Sequence, residues 1–160
     1  MTKYDDASWH YGGDFPGELP IKNGATHTGM FLNWCIANGF ISDEMKEDAQ
    51  EEIKKLKRRD ITGAEFVMDF CDGKFSEYDL NDLGNSFAKD YYADDTEFGN
   101  KFSSFADDYI NLFDAKAEEK DFEYETFYHI EDTWENYDLM KQMIDHRFQE
   151  WKEYKAQMLN

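Results

Sequence analysis

The sequence predicts an all-α fold: a single-domain helical bundle of five or six helices over residues 1–160, with an irregular N-terminal arm at residues 1–22 packed on the bundle. Two observations support this prediction. Residues 23–42 contain no charged side chain, although Asp, Glu, Lys and Arg make up 33% of the chain. The chain has only two prolines, Pro16 and Pro20, and proline is the residue that most strongly interrupts a helix. Long helices can therefore form everywhere after the arm.

The arm itself shows no helical periodicity. Its glycines and its two prolines favour turns over regular structure. Trp9, Tyr11 and Phe15 alternate along it, which predicts aromatic contacts that hold the arm against the bundle.

The uncharged stretch predicts a central helix over residues 25–37, ended by Asn38 and Gly39. Its apolar residues surround the helix axis and are Met30, Phe31, Leu32, Trp34, Cys35 and Ile36. A helix that is apolar nearly all round packs at the centre of a core, with other helices around it. Polar residues interrupt the stretch, and its apolar part is too short to span a membrane.

Four more helices are predicted: over residues 43–58 and 62–71, in the later part of residues 76–92, and over residues 98–112. Ser42 is the expected N-cap of the first, and Thr62 with Glu65 forms the capping box of the second. Residues 122–130 alternate between apolar and polar side chains, which favours an extended segment.

The last predicted helix is the longest. Aromatic and apolar side chains recur every three or four residues from Trp134 to Met158, so one continuous seam must lie along the bundle. Core packing is the first interpretation of this seam. In the second, the end of the helix projects and forms a homodimer, as in a structural adaptor.

The charge of the chain is strongly negative, with 17 basic and 36 acidic residues. Most of the excess lies in residues 61–138, which hold 5 basic and 22 acidic residues. Such a surface repels nucleic acids and anionic membranes and attracts basic proteins. The candidate partner-binding residues are Asp90, Tyr91, Tyr92, Asp94, Asp95, Glu97, Asp107 and Asp108. The other interpretation is that the acidity only keeps the protein soluble.

The sequence predicts neither a cofactor nor a metal. It contains no zinc-type spacing of His and Cys, no P-loop and no nucleophile elbow. Cys35 and Cys71 stand beside apolar residues and are expected to be reduced thiols of the core. No charged-then-apolar leader opens the chain, so the expected location is the cytoplasm.

Three segments carry a family resemblance. They are Tyr4 to Tyr11 (YDDASWHY) with GDFP at 13–16, Gly24 to Trp34 (GATHTGMFLNW), and Tyr128 to Tyr137 (YHIEDTWENY). Together they resemble a family of small, stand-alone acidic bacterial proteins, similar to the immunity proteins that accompany polymorphic toxins. The resemblance implies a non-enzymatic cytoplasmic protein that binds and neutralises a cognate toxin domain by steric and electrostatic occlusion. The negative charge favours a toxin with a basic surface, such as a nuclease.

The side chains in these segments also suggest a polar constellation. Its members are Trp9, His10, His27, Glu131 and Asp132. In one interpretation they lock the arm to the bundle through buried hydrogen bonds. In the other they form a small polar pocket, and the protein is a metal- or histidine-dependent helical enzyme in which His27 and Asp132 are the first residues to test.

Overall fold

The computed structural model describes residues 2–12 and 15–159. Gly13 and Asp14 of the arm motif, and the two terminal residues, lie outside the described residues. The elements, in chain order, are β1 (Lys3–Asp6), α1 (Ser8–Tyr11), α2 (Thr26–Ala37), α3 (Asp43–Asp48), α4 (Gln50–Lys57), α5 (Gly63–Asp69), β2 (Lys74–Ser76), α6 (Asp82–Tyr91), α7 (Glu97–Lys101), α8 (Phe105–Glu119) and α9 (Trp134–Met158). Short 3₁₀ helices cover Ile21–Ala25, Glu77–Asp79 and Phe127–His129. The fold is mostly helical, as predicted.

Helix α2 is the centre of the fold, as its uncharged sequence predicts. Every residue from Thr26 to Ile36 is buried. The ring of Phe31 lies against aromatic rings from three parts of the chain. These rings are Phe75 in β2, Phe87, Tyr91 and Tyr92 at the end of α6, and Phe105 in α8. Because no side of this helix carries Asp, Glu, Lys or Arg, no side favours contact with water, and the other elements surround it.

Helices α2 and α5 cross where two glycines meet. A methyl group added to Gly29 would lie 2.7 Å from Cα of Ala64, and it would also overlap the backbone of Gly63. A methyl group added to Gly63 would overlap the backbone of Gly29 in the same way. The two backbones are therefore in direct contact, and no side chain separates them.

Helix α9 lies along the bundle through the seam that the sequence shows. Tyr137, Met140, Ile144, Trp151 and Tyr154 are buried. The seam is therefore core, as its first interpretation predicts. The homodimer stays a prediction. At the end of the helix the exposed fractions of Met158 and Leu159 rise to 58% and 89%.

The arm is less irregular than predicted. Strand β1 pairs with β2 in an antiparallel two-stranded sheet, with Asp5 opposite Phe75 and Asp6 opposite Lys74. The sequence did not predict this sheet because both strands are short and because its partners lie about 70 residues apart. Phe75 is fully buried, so the pairing is stabilised from beneath by the core.

Capping residues divide helices that the sequence presents as continuous. The predicted helix at 98–112 is two helices, α7 and α8, because the hydroxyl of Ser104 accepts from the backbone N–H of Asp107 at 3.3 Å and starts a new helix. The predicted helix at 43–58 breaks at Ala49 into α3 and α4. Residues 122–130 form a loop and a 3₁₀ turn instead of an extended segment. Five or six helices was therefore an underestimate.

Two further expectations concern the thiols and the membrane. Cys35 is buried, Cys71 is partly buried, and both are free. Burial raises the pKa of each thiol, so neither forms a reactive thiolate near neutral pH. Among the described residues, no helix has both the length and the hydropathy that a membrane span requires.

Candidate functional site

A buried carboxylate joins the arm to the central helix. Nε2 of His10 lies 2.9 Å from Oδ1 of Asp5, and Nε2 of His27 lies 3.0 Å from Oδ2 of the same residue. Asp5 and His27 are 7% and 5% exposed, whereas His10 reaches the surface at one edge. We call Asp5, His10 and His27 the polar cluster.

Local structure positions each member of the polar cluster. The carboxylate of Asp6 accepts from the backbone N–H and the hydroxyl of Ser8, at 3.0 and 2.7 Å. This turn starts α1 immediately after β1, and α1 brings His10 back over Asp5. His27 stands in the first turn of α2, where the preceding 3₁₀ helix leads the chain into the core.

Further donors saturate the carboxylate. Asp5 also accepts from the hydroxyl of Tyr92 at 2.6 Å, from the hydroxyl of Thr28 at 3.1 Å and from the backbone N–H of Asp6 at 2.8 Å. A carboxylate offers about four lone-pair positions, so these donors occupy all of them. Because a carboxylate only accepts, each histidine presents Nε2 as an N–H donor in this arrangement.

These contacts set the charge of Asp5. Burial alone would raise its pKa, but hydrogen bonds from His10, His27 and Tyr92 and the nearby charge of His27 hold the pKa well below its usual range. Asp5 therefore stays ionised throughout the neutral range.

The outer edge of the polar cluster is closed by Tyr128. Its hydroxyl lies 2.8 Å from Nδ1 of His10. Burial and the charge of Asp5 raise the pKa of Tyr128, so the phenol stays protonated and can donate to that nitrogen. Nδ1 of His27, in contrast, is buried and has no hydrogen-bond partner in the described structure.

The structure brings His10 and His27 together but separates them from the other residues of the predicted polar pocket. The side chain of Trp9 is 56% exposed. Glu131 is exposed and accepts from Tyr124. The carboxylate of Asp132 accepts from the hydroxyl of Thr62 at 2.6 Å and lies 3.6 Å from the ammonium of Lys22. The predicted pocket that contains both His27 and Asp132 is therefore not formed, and His27 pairs with Asp5 instead.

Sequence reasoning missed Asp5 because its partners are scattered. Its bonds run to residues 5, 22 and 87 positions away, and no periodic pattern connects such positions. The two adjacent carboxylates before α1 were the one available signal. They do not reveal that Asp6 starts the helix while Asp5 faces inward.

The predicted partner-binding residues divide into two groups. Asp94, Asp95, Glu97 and Asp107 are exposed, and Asp90 is partly exposed. Tyr91, Tyr92 and Asp108 are 0%, 7% and 3% exposed. These three cannot touch a partner protein in this fold, which corrects their assignment.

Their burial has a clear physical cause. Asp108 accepts from Nε and Nη2 of Arg147 at 2.9 and 3.1 Å and from the hydroxyl of Tyr91 at 2.7 Å. This buried ion pair ties α8 to α9. Asp90 is likewise engaged, since it accepts from the indole N–H of Trp151 at 2.8 Å.

The exposed aromatic side chains lie elsewhere on the acidic surface. At the end of α8, a surface groove with a volume of about 820 Å³ is lined by Asp114, Ala117, Glu118, Asp121, Phe122, Glu123 and Tyr124. We call it the acidic groove. Among the described residues, its lining contains four carboxylates and no basic side chain. Phe122 is 41% exposed, and its ring lies edge-on to Tyr124 at 5.0 Å.

The described residues contain one more group of potential metal ligands. Glu18, Glu125 and His129 offer ligand atoms within 4.8 Å of one another. Both glutamates are exposed, and Nε2 of His129 lies 3.3 Å from Oε1 of Glu18. This contact links the arm to the loop before α9 at the surface.

The fold and these sites define a small, acidic, mostly helical protein with a polar cluster beneath its arm and an acidic groove at its surface. The chain belongs to the family described as domain of unknown function DUF7832, which matches residues 3–126. The match covers β1 through α8 and ends before α9. No curated protein and no solved structure matches the chain.

Proposed function

We propose that this protein is a non-enzymatic, immunity-type binding protein that neutralises a cognate toxin domain with a basic surface. The observation that carries the proposal is the acidic groove, where four carboxylates surround an exposed phenylalanine and the described lining has no basic residue. The resemblance to immunity proteins and the net charge of −19 point in the same direction.

The groove has the two features that a protein-binding site requires. Phe122 and Tyr124 offer apolar area and ring faces, on which an Arg or Lys of the partner can stack. The surrounding carboxylates match basic side chains at the rim, where complementarity acts on specificity and on the association rate. The negative charge of such a surface is similar to that of a nucleic acid, which is a polyanion. A nuclease, which binds nucleic acid, is therefore a suitable class of target.

Neutralisation would follow from occlusion. Long-range attraction between the acidic surface and a basic toxin accelerates the encounter, and the bulk of the helical domain then covers the toxin's site. No residue of this chain needs to perform chemistry in that mechanism.

We expect the association rate to depend steeply on salt and on the acidic groove. The tagged full chain would capture its partner from a lysate of the native host, and stopped-flow mixing would give the rate with the purified partner. Between about 0.05 and 0.5 M salt the rate should fall at least tenfold, because screening shortens the range of the charges. Glu118→Lys should slow association, and Phe122→Ala should accelerate dissociation.

The matched control is Glu47→Lys, which makes the same charge change on the exposed face of α3. It should alter the rate much less than Glu118→Lys. If the association rate does not change between low and high salt, the electrostatic mechanism is wrong. The absence of any partner at low and high salt would reject the binding function itself.

A second candidate function is metal-dependent, and the polar cluster favours it. Its two histidine nitrogens and one carboxylate lie within 4.8 Å of one another, and two histidines with one carboxylate form a common set of ligands for divalent transition metals. Tyr128, Thr28 and Tyr92 already hydrogen-bond to these ligands, as outer-shell residues do in metal sites. A bound ion would replace the protons that Nε2 now donates to Asp5.

For this candidate we expect Zn²⁺ to raise the melting temperature and Co²⁺ to give visible absorption. Both signals should disappear in His10→Gln, which removes the most accessible ligand and leaves the buried residues in place. They should persist in His129→Gln, which disables the other ligand group. No response to Zn²⁺, Co²⁺ or Mn²⁺ would leave the polar cluster with a structural role alone.

A further inference from the structure

The described part of the chain contains a concave region whose charge is opposite to that of the whole chain. Two adjoining cavities of about 300 and 340 Å³ run along α2, α4 and the start of α9, and they share Ile36 and Lys57. Five basic residues line them, and these are Lys46, Lys54, Lys57, Arg59 and Lys141. No Asp or Glu contributes to the described lining of either cavity. We call this region the basic groove.

This separation of basic from acidic side chains is unexpected in a chain of this composition. Acidic residues outnumber basic ones by 36 to 17 in the chain, yet every described residue that lines the basic groove is a cation, an apolar residue or an uncharged polar residue. Three of its cations pair outside the lining: Lys54 with Glu51, Arg59 with Asp138 and Lys141 with Asp145. Lys57, which both cavities share, forms no ion pair in the described structure. Lys46 likewise forms no ion pair there, but it lines only one of the two cavities, so Lys57 is the unpaired cation that both cavities share.

The two ends of the groove differ in chemistry. At one end Ile36, Ile41 and Ile53 form an aliphatic floor. At the other end Trp134 and Tyr137 meet Lys57, Arg59 and Lys141. The guanidinium of Arg59 stacks on the ring of Trp134 at 4.4 Å, which fixes the wall there.

The wall at the cationic end also holds two unpaired hydrogen-bond donors. The hydroxyl of Tyr137 and the indole N–H of Trp134 are buried and have no hydrogen-bond partner in the described structure, and Tyr137 is 6% exposed. Behind them lies a void of about 10 Å³ beside Asp132, which has room for one water molecule. Two unpaired donors and the unpaired ammonium of Lys57 thus lie at this end, beside the ion pairs of Arg59 with Asp138 and of Lys141 with Asp145.

We propose that the basic groove binds a small amphipathic carboxylate. The carboxylate lies at the Lys57, Lys141 and Tyr137 end, and the hydrocarbon body lies along Ile36, Ile41 and Ile53. The volumes suit a chain of medium length, since ligand pockets begin at about 300 Å³. An apolar body gains from burial, and a charge-assisted contact with Lys57 fixes its direction. This site is independent of the acidic groove and of any toxin.

The test uses the full chain and three probes with the same eight-carbon body: octanoate, octylammonium and octanol. Amide chemical shifts from two-dimensional NMR report where each probe binds, and titration gives its affinity. Octanoate should shift the amides of Ile36, Lys57 and Lys141 and bind at least about tenfold more tightly than octylammonium, which corresponds to about 1.4 kcal/mol.

Two variants locate the carboxylate. Lys57→Gln should weaken octanoate binding about tenfold, because it removes one charge-assisted contact. Tyr137→Phe should weaken binding without lowering the melting temperature, since its hydroxyl has no protein partner to lose. The control is Lys55→Gln, an exposed lysine of the same helix that does not line the groove.

Equal binding of octanoate and octylammonium, or shifts confined to other surfaces, would overturn the proposal. An unchanged octanoate affinity in either Lys57→Gln or Tyr137→Phe would overturn the placement of the carboxylate. None of these results depends on finding a partner protein, so the proposed function stands or falls separately.

Discussion

Replacing Gly29 by Ala is expected to destabilise the protein by about 3 kcal/mol or more. The sign of this change in stability is informative, because Gly→Ala inside a helix normally stabilises the folded protein by roughly 1 kcal/mol. Here the added methyl would overlap the backbone of Gly63 and Ala64. Backbone atoms cannot rotate away as a side chain can, so α2 and α5 would have to separate and open the core around both.

Urea denaturation monitored by tryptophan fluorescence measures this change. Gly17→Ala is the control, because no heavy atom lies within 4 Å of a methyl group at that position. It should change the free energy of unfolding by no more than about 0.5 kcal/mol. If Gly29→Ala were as stable as the parent chain, the direct backbone contact between α2 and α5 would be wrong.

Replacing Asp5 by Asn is expected to cost about 3–5 kcal/mol, the usual loss when one partner of a buried charged pair is removed. Five donors converge on this carboxylate. An amide supplies one oxygen and directs its own N–H groups at the others, so at least one donor of His10, His27 or Tyr92 is left buried and unsatisfied. The arm would lose its main attachment to α2.

The control for charge alone is Asp69→Asn, an exposed change on α5, which should have little effect on unfolding. Hydrogen exchange adds a structural readout. In Asp5→Asn the amides of β1 should exchange faster than those of α9, because the arm opens before the bundle does. Unchanged stability together with unchanged exchange in β1 would show that the polar cluster does not hold the arm.

Both predictions concern contacts that the sequence could not reveal. Gly29 and Gly63 carry no signal of a helix crossing, since glycine in a helix is usually unfavourable and both positions resemble simple weak points. The same holds for Asp5, whose donors come from β1, α1, α2 and the residue that follows α6. Contacts of this kind depend on how elements pack, and packing is decided by the whole chain at once.

The sequence also did not predict which individual aromatic residues are buried. Tyr91 and Tyr92 stand among acidic residues and were assigned to the surface, yet α6 turns both of them inward, where they bond to Asp108 and Asp5. A local pattern shows which side chains share a helix face. It does not show whether that face meets solvent or another helix.

What the sequence determined by itself were several features with a short-range cause, although it missed the cap at Ser104. The uncharged stretch specified the buried central helix, because its composition leaves no face for water. Ser42 and the capping box at Thr62 fixed two helix starts, since a cap acts within three residues. The seam from Trp134 to Met158 specified α9 by its period alone.

Only the tertiary structure decided where chemistry can occur. It placed Asp5 between His10 and His27 and collected five basic residues into one groove of an acidic protein. Each of these sites joins residues from separate elements. Their distances depend on the long-range packing of helices around α2, which no local pattern in the chain encodes.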